Sequence, residues 1–285
     1  MALLDRLASK RGPVSMASLA AELALPKSSM HGLCNTLLSC GYLQRQADGC
    51  LSIGPRVMTL AEAFVASSDV AREFDALWLA TSPQQAPDET MVLSVLDGDS
   101  VLYLAVRNSS RPLGLAFNRG MRLPAHLAAT GRAMLAFLAP ALVLPLLANP
   151  PLAALTPRSL TAPDALAAEL AATRERGFGI DDEGVRLGVY GLAAPVLDAG
   201  GRPVAGVGVC LNKATLNAAD LACQQQRVQD TALALSRRLG GGAPLPRPTS
   251  SPAVPKAPKS PKVPAAPYVA VAPQDSQPFK PAASA

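Results

Sequence analysis

Along the first seventy positions, apolar residues recur at helical spacing in short bursts. Leu3, Leu4 and Leu7 share one helix face. Ser15 is a good N-cap for a second helix, Met16 to Leu23, in which Leu19 and Leu23 fall together. After a short turn at Ala24 and Leu25, Pro26 suits the first turn of a third helix, where its missing N–H costs nothing. That helix runs to about Cys40 and stops at Gly41, a residue type that accepts the left-handed conformation at a helix end. Within it, Met30, Leu33, Cys34 and Leu37 form the stripe expected to face a core. The pattern then becomes extended, because two runs within Tyr42 to Ile53 flank the hairpin pair Asp48-Gly49. Two helices across a tight turn, followed by a hairpin, is the winged helix-turn-helix pattern. Pro55 opens one more helix, Arg56 to Ser67. Val57, Leu60, Ala61 and Phe64 lie on one face of it, which suits a linker and a contact between copies.

The second half mixes periods. Glu89 to Leu96 and Ser100 to Arg107 read as strands around Asp97-Gly98-Asp99, with a third strand at Pro112 to Phe117. Helices follow at about Leu127 to Leu138 and Ala162 to Arg176. Gly191 to Leu197 and Pro203 to Leu211 form a hairpin around Gly200-Gly201, and Asn217 to Leu239 reads as a closing amphipathic helix. The glycines Gly191, Gly206 and Gly208 inside strands either leave room for a ligand or mark bulges.

Composition changes the picture in two ways. With 285 residues and 49% apolar content the chain can bury a core, which excludes a wholly disordered protein. The net charge of +5 hints at a polyanion, yet residues 1–68 contribute +2, residues 69–242 contribute −1 and residues 243–285 contribute +4. The last stretch also holds 12 of the 27 prolines, so it is expected to be an extended, solvated tail. Bulk charge therefore says little about a folded DNA surface. Five cysteines without a C-x-x-C pair fit a reducing, cytoplasmic compartment. His31 and Cys34, one turn apart and near Cys40 and Cys50, raise a metal site, but small buried thiols account for them. The start carries no signal-peptide run, and the most apolar stretch, Ala133 to Ala148, is broken by Pro140 and Pro145 and is too short to span a bilayer.

Two sets of residues carry candidate chemistry. On the third helix the side opposite the apolar stripe presents Ser28, Gly32, Asn35 and Ser39, with Ser29 and His31 on its flanks and Lys27 in the first turn. That face is short, polar and free of carboxylates, so it could enter a major groove without repelling phosphate. Lys27, Ser28 and Ser29 suit a phosphate, Asn35 suits an adenine edge, and Arg45 near the hairpin tip suits backbone or minor groove. Catalysis is disfavoured, because His31 and His126 are the chain's two histidines and neither sits in a nucleophile-elbow or H-E-x-x-H context. The loop Asp181-Asp182-Glu183 could hold a metal but has no histidine nearby in sequence. No cofactor is indicated.

LPKSSMHGLCNTLLSCGYL, from Leu25 to Leu43, resembles the DNA-reading helix of the IclR-type (isocitrate lyase regulator) bacterial transcription factors. The wing and linker, DGCLSIGPRVMTLAEAF, are similar too. So are RLPAHLAATGRAMLAFL (Arg122 to Leu138), RERGFGIDDEG (Arg174 to Gly184) and GLAAPVLDAGGRPVAGVGV (Gly191 to Val209). The resemblance covers roughly residues 1–240 in order. It implies an α+β protein, with a winged helix-turn-helix at 1–54, a linker helix at 55–68 and a GAF-like effector-binding domain at 69–242; the disordered tail expected from composition takes up 243–285. It also implies a dimer or tetramer on a pseudo-palindromic operator, released or recruited by a small organic acid, with repression the commoner role. Carried over by position, Ala129 and Thr130 offer backbone N–H groups to a ligand carboxylate, and the Thr130 hydroxyl adds a donor. Asp181 matches the first acid of the family's loop and Cys210 a frequent serine. Gly191 stands where some members carry a polar or sulfur side chain. Against these assignments, the Asp181-Asp182-Glu183 loop could equally be exposed and His126 a buried structural residue.

This sequence departs from the family at Gly32, where an arginine is frequent, and at Leu211, which replaces a frequent glycine. Losing the guanidinium should cost about 1–3 kcal/mol of base readout. The chain also begins inside the family's first helix. These departures motivate a second reading, a ligand sensor of the same fold without specific DNA binding.

Overall fold

The computed structural model describes residues 2–10, 12–66, 68–80, 89–109, 117–147 and 152–241. They divide into two compact units, with the boundary between Phe64 and Val65.

The first unit contains α1 (Ala2–Ser9), α2 (Met16–Glu22), α3 (Lys27–Ser39), the two-stranded β1 (Leu43–Arg45) and β2 (Leu51–Ile53), and most of α4 (Arg56–Ala66). Ser15 caps α2 by accepting the Ser18 N–H at 3.2 Å. The end of α2 is a Schellman turn: the Leu25 N–H donates to Ala20 O at 3.0 Å and the Ala24 N–H to Ala21 O at 3.2 Å. Ala24 therefore adopts φ +50°, a left-handed position filled here by a residue with a Cβ. Pro26 is the N-cap of α3 rather than a member of its first turn. Gly41 takes φ +75° just past α3, and Gly49 φ +81° in the hairpin turn. Val14 makes an isolated antiparallel bridge to Leu51 at the edge of this small sheet.

A single cluster of Leu3, Leu7, Leu19, Met30, Cys34, Leu43 and Leu51 forms the core of this unit. The predicted stripe of α3 is corrected at one position: Leu33 is 47% exposed, and Leu37 and Leu38 complete the buried side instead. The core is centred between Met30 and Cys34 on the helical wheel, which leaves Leu33 at the rim.

The second unit is a six-stranded sheet of order β5-β4-β3-β8-β7-β6, with every neighbouring pair antiparallel. Its elements, from α5 (Asp69–Ala80), are β3 (Thr90–Asp97), β4 (Ser100–Arg107), β5 (Arg122–Pro124), α6 (Ala129–Leu135), α7 (Pro140–Leu147), α8 (Pro163–Arg176), β6 (Gly179–Asp182), β7 (Val189–Leu197), β8 (Pro203–Asn212) and α9 (Ala218–Arg238). Alternation splits the strands between two cores. Met91 and Leu93 join Phe74 of α5 and Leu221, Val228 and Leu235 of α9 on one face. Val92 and Cys210 join Leu123, Met134, Leu166 and Leu170 on the other.

The predicted strand at Pro112 to Phe117 lies almost wholly outside the described residues, as does the tail from Ala243. β5, β6 and α5 go beyond the predicted elements, and part of the acidic loop is strand. The apolar run from Ala133 falls on the end of α6 and on α7, whose Leu142 and Leu144 are exposed. Among the described residues no helix is long and apolar enough to cross a membrane.

Candidate nucleic-acid interface and effector site

The capping of α2 and the start of α3 fix the outward face of the helix-turn-helix. Lys27, Ser28, Ser29, His31, Gly32, Asn35 and Thr36 of α3 are all exposed, and α3 carries no acidic residue. The carboxylate of Glu22 on α2 is held by Arg6 and Lys10, whose hydrogen bonds lower its pKa to about 2. Arg45 is exposed at the tip end of the wing, where its Nη1 donates to Gly49 O at 3.2 Å. Sequence reasoning missed Thr36, which stands beside Gly32 on the helical wheel; its Oγ1 donates back to Gly32 O at 3.0 Å. A Cβ added at Gly32 would meet nothing within 4 Å, so the outer surface of α3 is open there.

In the second unit the expected effector residues are brought together. Register places Asp181 of β6 opposite Gly191 of β7, Gly191 opposite Cys210 of β8, and Cys210 opposite Thr90 of β3. These four form one row on the face that carries α6. A Cβ added at Gly191 would lie 3.3 Å from both the Ala129 and Asp181 Cβ atoms. Thus Ala129, Asp181, Gly191 and Cys210 share one spot, with the first turn of α6 above the row. In that turn the N–H groups of Ala129 and Thr130 have no carbonyl one turn back inside the helix.

Thr130 points elsewhere. Its side chain presses on Gly206 and Gly208, where added Cβ atoms would meet Thr130 atoms at 2.8–3.2 Å and 3.0 Å. The strand glycines therefore seat α6 on the sheet, and the register irregularities fall elsewhere, at Leu93/Ser94 and Val196/Leu197. Thr130 Oγ1 is buried without a hydrogen-bond partner among the described residues, as is Ser94 Oγ.

The acidic loop is not an exposed one. Asp181 is 4% exposed and its Oδ1 accepts the Gly184 N–H at 2.7 Å. Burial raises its pKa to about 6, against the opposing pull of Arg132 and the Gly184 and Val185 N–H groups. Burial and the nearby Asp181 push the Cys210 thiol up to about 12, which leaves it neutral and unreactive. Glu183, at φ +63°, turns its side chain inward. It accepts from buried Lys213 at 2.7 Å and from the Gly188 N–H at 2.8 Å, and pairs with Arg158 at 3.1 Å. Thr156 and Ser159 hydroxyls donate to Glu183 O and Gly184 O, each at 2.7 Å. His126 is buried, with Nε2 2.9 Å from Ala153 O, and burial lowers its pKa. It is the structural residue of the two readings. Among the described residues no three His, Cys, Asp or Glu side chains are grouped to hold a metal, and Cys34 and Cys210 are free buried thiols.

Arg132 also escaped the sequence reading, although a lone charge in the apolar run ATGRAMLAFL marks it. It is buried, donates from Nε to His126 O at 2.7 Å and from Nη1 to Ile180 O, and lines a cleft of about 450 Å³ with Arg158, Leu160, Ala165, Ala168, Glu169 and Asp182.

Residues 1–47 match the family model described as the IclR helix-turn-helix domain, and residues 64–237 match the bacterial transcriptional regulator IclR C-terminal domain. The chain belongs to the IclR family. It is 30% identical over 240 residues to the HTH-type transcriptional regulator XynR of Escherichia coli (strain K12), covering 84% of this chain and 94% of that protein. Among solved structures, the Agobacterium tumefaciens repressor BlcR is 36% identical, with 85% of this chain and 96% of that one covered and a TM-score of 0.56. An IclR homolog from Microbacterium hydrocarbonoxydans, solved with 4-hydroxybenzoate, shares the fold at 22% identity, with 83% and 98% covered and a TM-score of 0.67. This IclR-family chain is a transcriptional regulator that joins a helix-turn-helix DNA-binding domain to a ligand-binding domain.

Proposed function

We propose that this regulator acts in the cytoplasm as an effector-controlled repressor of a catabolic operon. The observation that carries the DNA side is the exposed, carboxylate-free face of α3. Lys27, Ser28 and Ser29 hold phosphate, His31 and Asn35 face base edges, and Arg45 of the wing reaches the backbone or minor groove. A homodimer or homotetramer binds a pseudo-palindromic operator, half-site spacing following the symmetry of the protein. The exposed apolar residues Met58, Leu60 and Phe64 on α4 support a second copy as its cover. The working division is 1–54 for the DNA reader, 55–68 for the linker, 69–242 for the effector domain and 243–285 for the tail.

A small organic acid, aromatic or keto in type, is the effector of this reading, and 4-hydroxybenzoate in the Microbacterium homolog is of that class. It sits over the row of Asp181, Gly191 and Cys210, held by the Ala129 and Thr130 N–H groups, and biases the balance between DNA-competent and DNA-incompetent arrangements. The row is closed beneath α6, so the acid enters by displacing its cover. The protein binds rather than catalyses: its two histidines lie in different units, and Glu183 is committed to Lys213.

A mobility-shift assay on DNA from upstream of the protein's own gene, with and without a panel of organic acids, tests this reading. A discrete shifted complex that one acid dissolves supports it. The absence of any salt-sensitive complex refutes the DNA side and favours the sensor without specific DNA binding, which the bare Gly32 position motivates.

A further inference from the structure

Arg132 is a buried charge whose opposing carboxylates, Asp181 and Glu169, act on it only from a distance. It is 6% exposed, yet no carboxylate lies within ion-pair distance among the described residues; its bonds go to the carbonyls of His126 and Ile180. A buried guanidinium with no carboxylate in contact is costly, and buried cations are ordinarily paired or held against an anion. Its remaining nitrogen, Nη2, has no hydrogen-bond partner among the described residues. Arg132 also lines the 450 Å³ cleft between α8, the edge strand β6 and residues 158–160, a volume that suits a small ligand.

The acids of that cleft are in contact with other cations, although Glu169 also acts on Arg132 from a distance. Glu169 is paired with Arg176, and Asp182 with Lys213. Arg158, across the cleft, is shared with Glu183 and 47% exposed, which leaves it free to swing toward a ligand. Leu160, Ala165 and Ala168 supply an apolar wall.

We propose that the cleft lined by Arg132, Arg158, Glu169 and Ala168 is a second ligand site, beside the Asp181–Gly191–Cys210 row, that takes a small oxyanion on the Arg132 guanidinium. The fork of the guanidinium matches a carboxylate or a phosphate equally, and Arg158 closes over the anion from the solvent side. The apolar wall accepts a short carbon chain. This site stands on the cleft alone and not on the DNA-binding or effector reading.

The full-length protein is titrated calorimetrically with inorganic phosphate and, separately, with succinate, at ionic strength held constant with sodium chloride. Saturable one-to-one binding of either anion to the wild type is expected, and which anion binds identifies the source. Ala168→Phe fills the cleft from the exposed side of α8 without touching Arg132, and should weaken binding at least tenfold. Arg158→Gln should weaken it severalfold. Arg132→Gln should abolish it; because that variant also loses two bonds to carbonyls, Ala168→Phe decides the matter if it does not fold. Absence of saturable binding by both anions, or undiminished affinity in Ala168→Phe, overturns the proposal. A mobility-shift failure would leave this titration unaffected.

Discussion

Replacing Asp181 by asparagine should make the effector domain more stable at neutral pH, although it removes a charge from a loop that carries hydrogen bonds. Asp181 is buried and its pKa stands at about 6 in the folded chain against 3.8 for the free side chain. The folded state therefore binds this proton more tightly than the unfolded state, and the contribution of Asp181 to stability is greatest below about pH 4. It falls as the pH rises toward 6 and is flat above that. Two pH units correspond to about 3 kcal/mol at 1.36 kcal/mol per unit. An asparagine at this position would mimic the protonated acid: its amide oxygen still accepts the Gly184 N–H, and nothing titrates. The Asp181→Asn chain should then exceed the wild type by about 2–3 kcal/mol at pH 7.5 and match it near pH 4. The chain has one tryptophan, Trp78, on α5 in the effector unit, so denaturant unfolding followed by its fluorescence reports this unit. Titrations at pH 4, 5, 6 and 7.5 give the difference curve, in which the other titrating groups cancel. A difference that does not change with pH, or an Asp181→Asn chain less stable at pH 7.5, would refute the reasoning.

Other perturbations follow from single geometries. Ala24→Gly relieves a left-handed alanine at the end of α2 and should stabilise the winged unit by about 1 kcal/mol, read as a higher midpoint in thermal unfolding. Gly208→Ala forces a Cβ to within 2.9 Å of Leu192 O and 3.0 Å of Thr130 Cγ2, so it should cost about 1–3 kcal/mol in denaturant unfolding of the effector unit. Gly32→Arg meets open space on α3 and should tighten operator binding by about 1–3 kcal/mol in a mobility-shift titration if a guanine lies beneath it. Lys27→Ala should weaken binding to all sequences alike and flatten the salt dependence by about one ion.

Much of the fold was legible because the rules that shape it are local. The helices at Met16 and Lys27, the left-handed glycines at 41 and 49, and the strands around Gly98 and Gly201 follow from spacing, caps and turn residues a few positions apart. The exposed polar face of α3 was legible for the same reason, since angle on a helix depends on position along it alone. Even there, Leu33 was misplaced, because spacing gives a stripe its width but not the centre of the core beneath it.

What the chain order could not disclose depended on segments far apart meeting. Asp181, Gly191, Cys210 and Thr90 become a row through the register of three antiparallel pairs. Arg132 reaches Ile180 across 48 positions, and Lys213 reaches Glu183 across 30. Those meetings turn a run of three acids that reads as solvated into two buried carboxylates with opposite fates: Asp181 desolvated toward neutrality, Glu183 kept charged by its lysine. Sequence carries the charge of a side chain; how much water surrounds it, and which opposite charge stands beside it, is settled when the sheet closes.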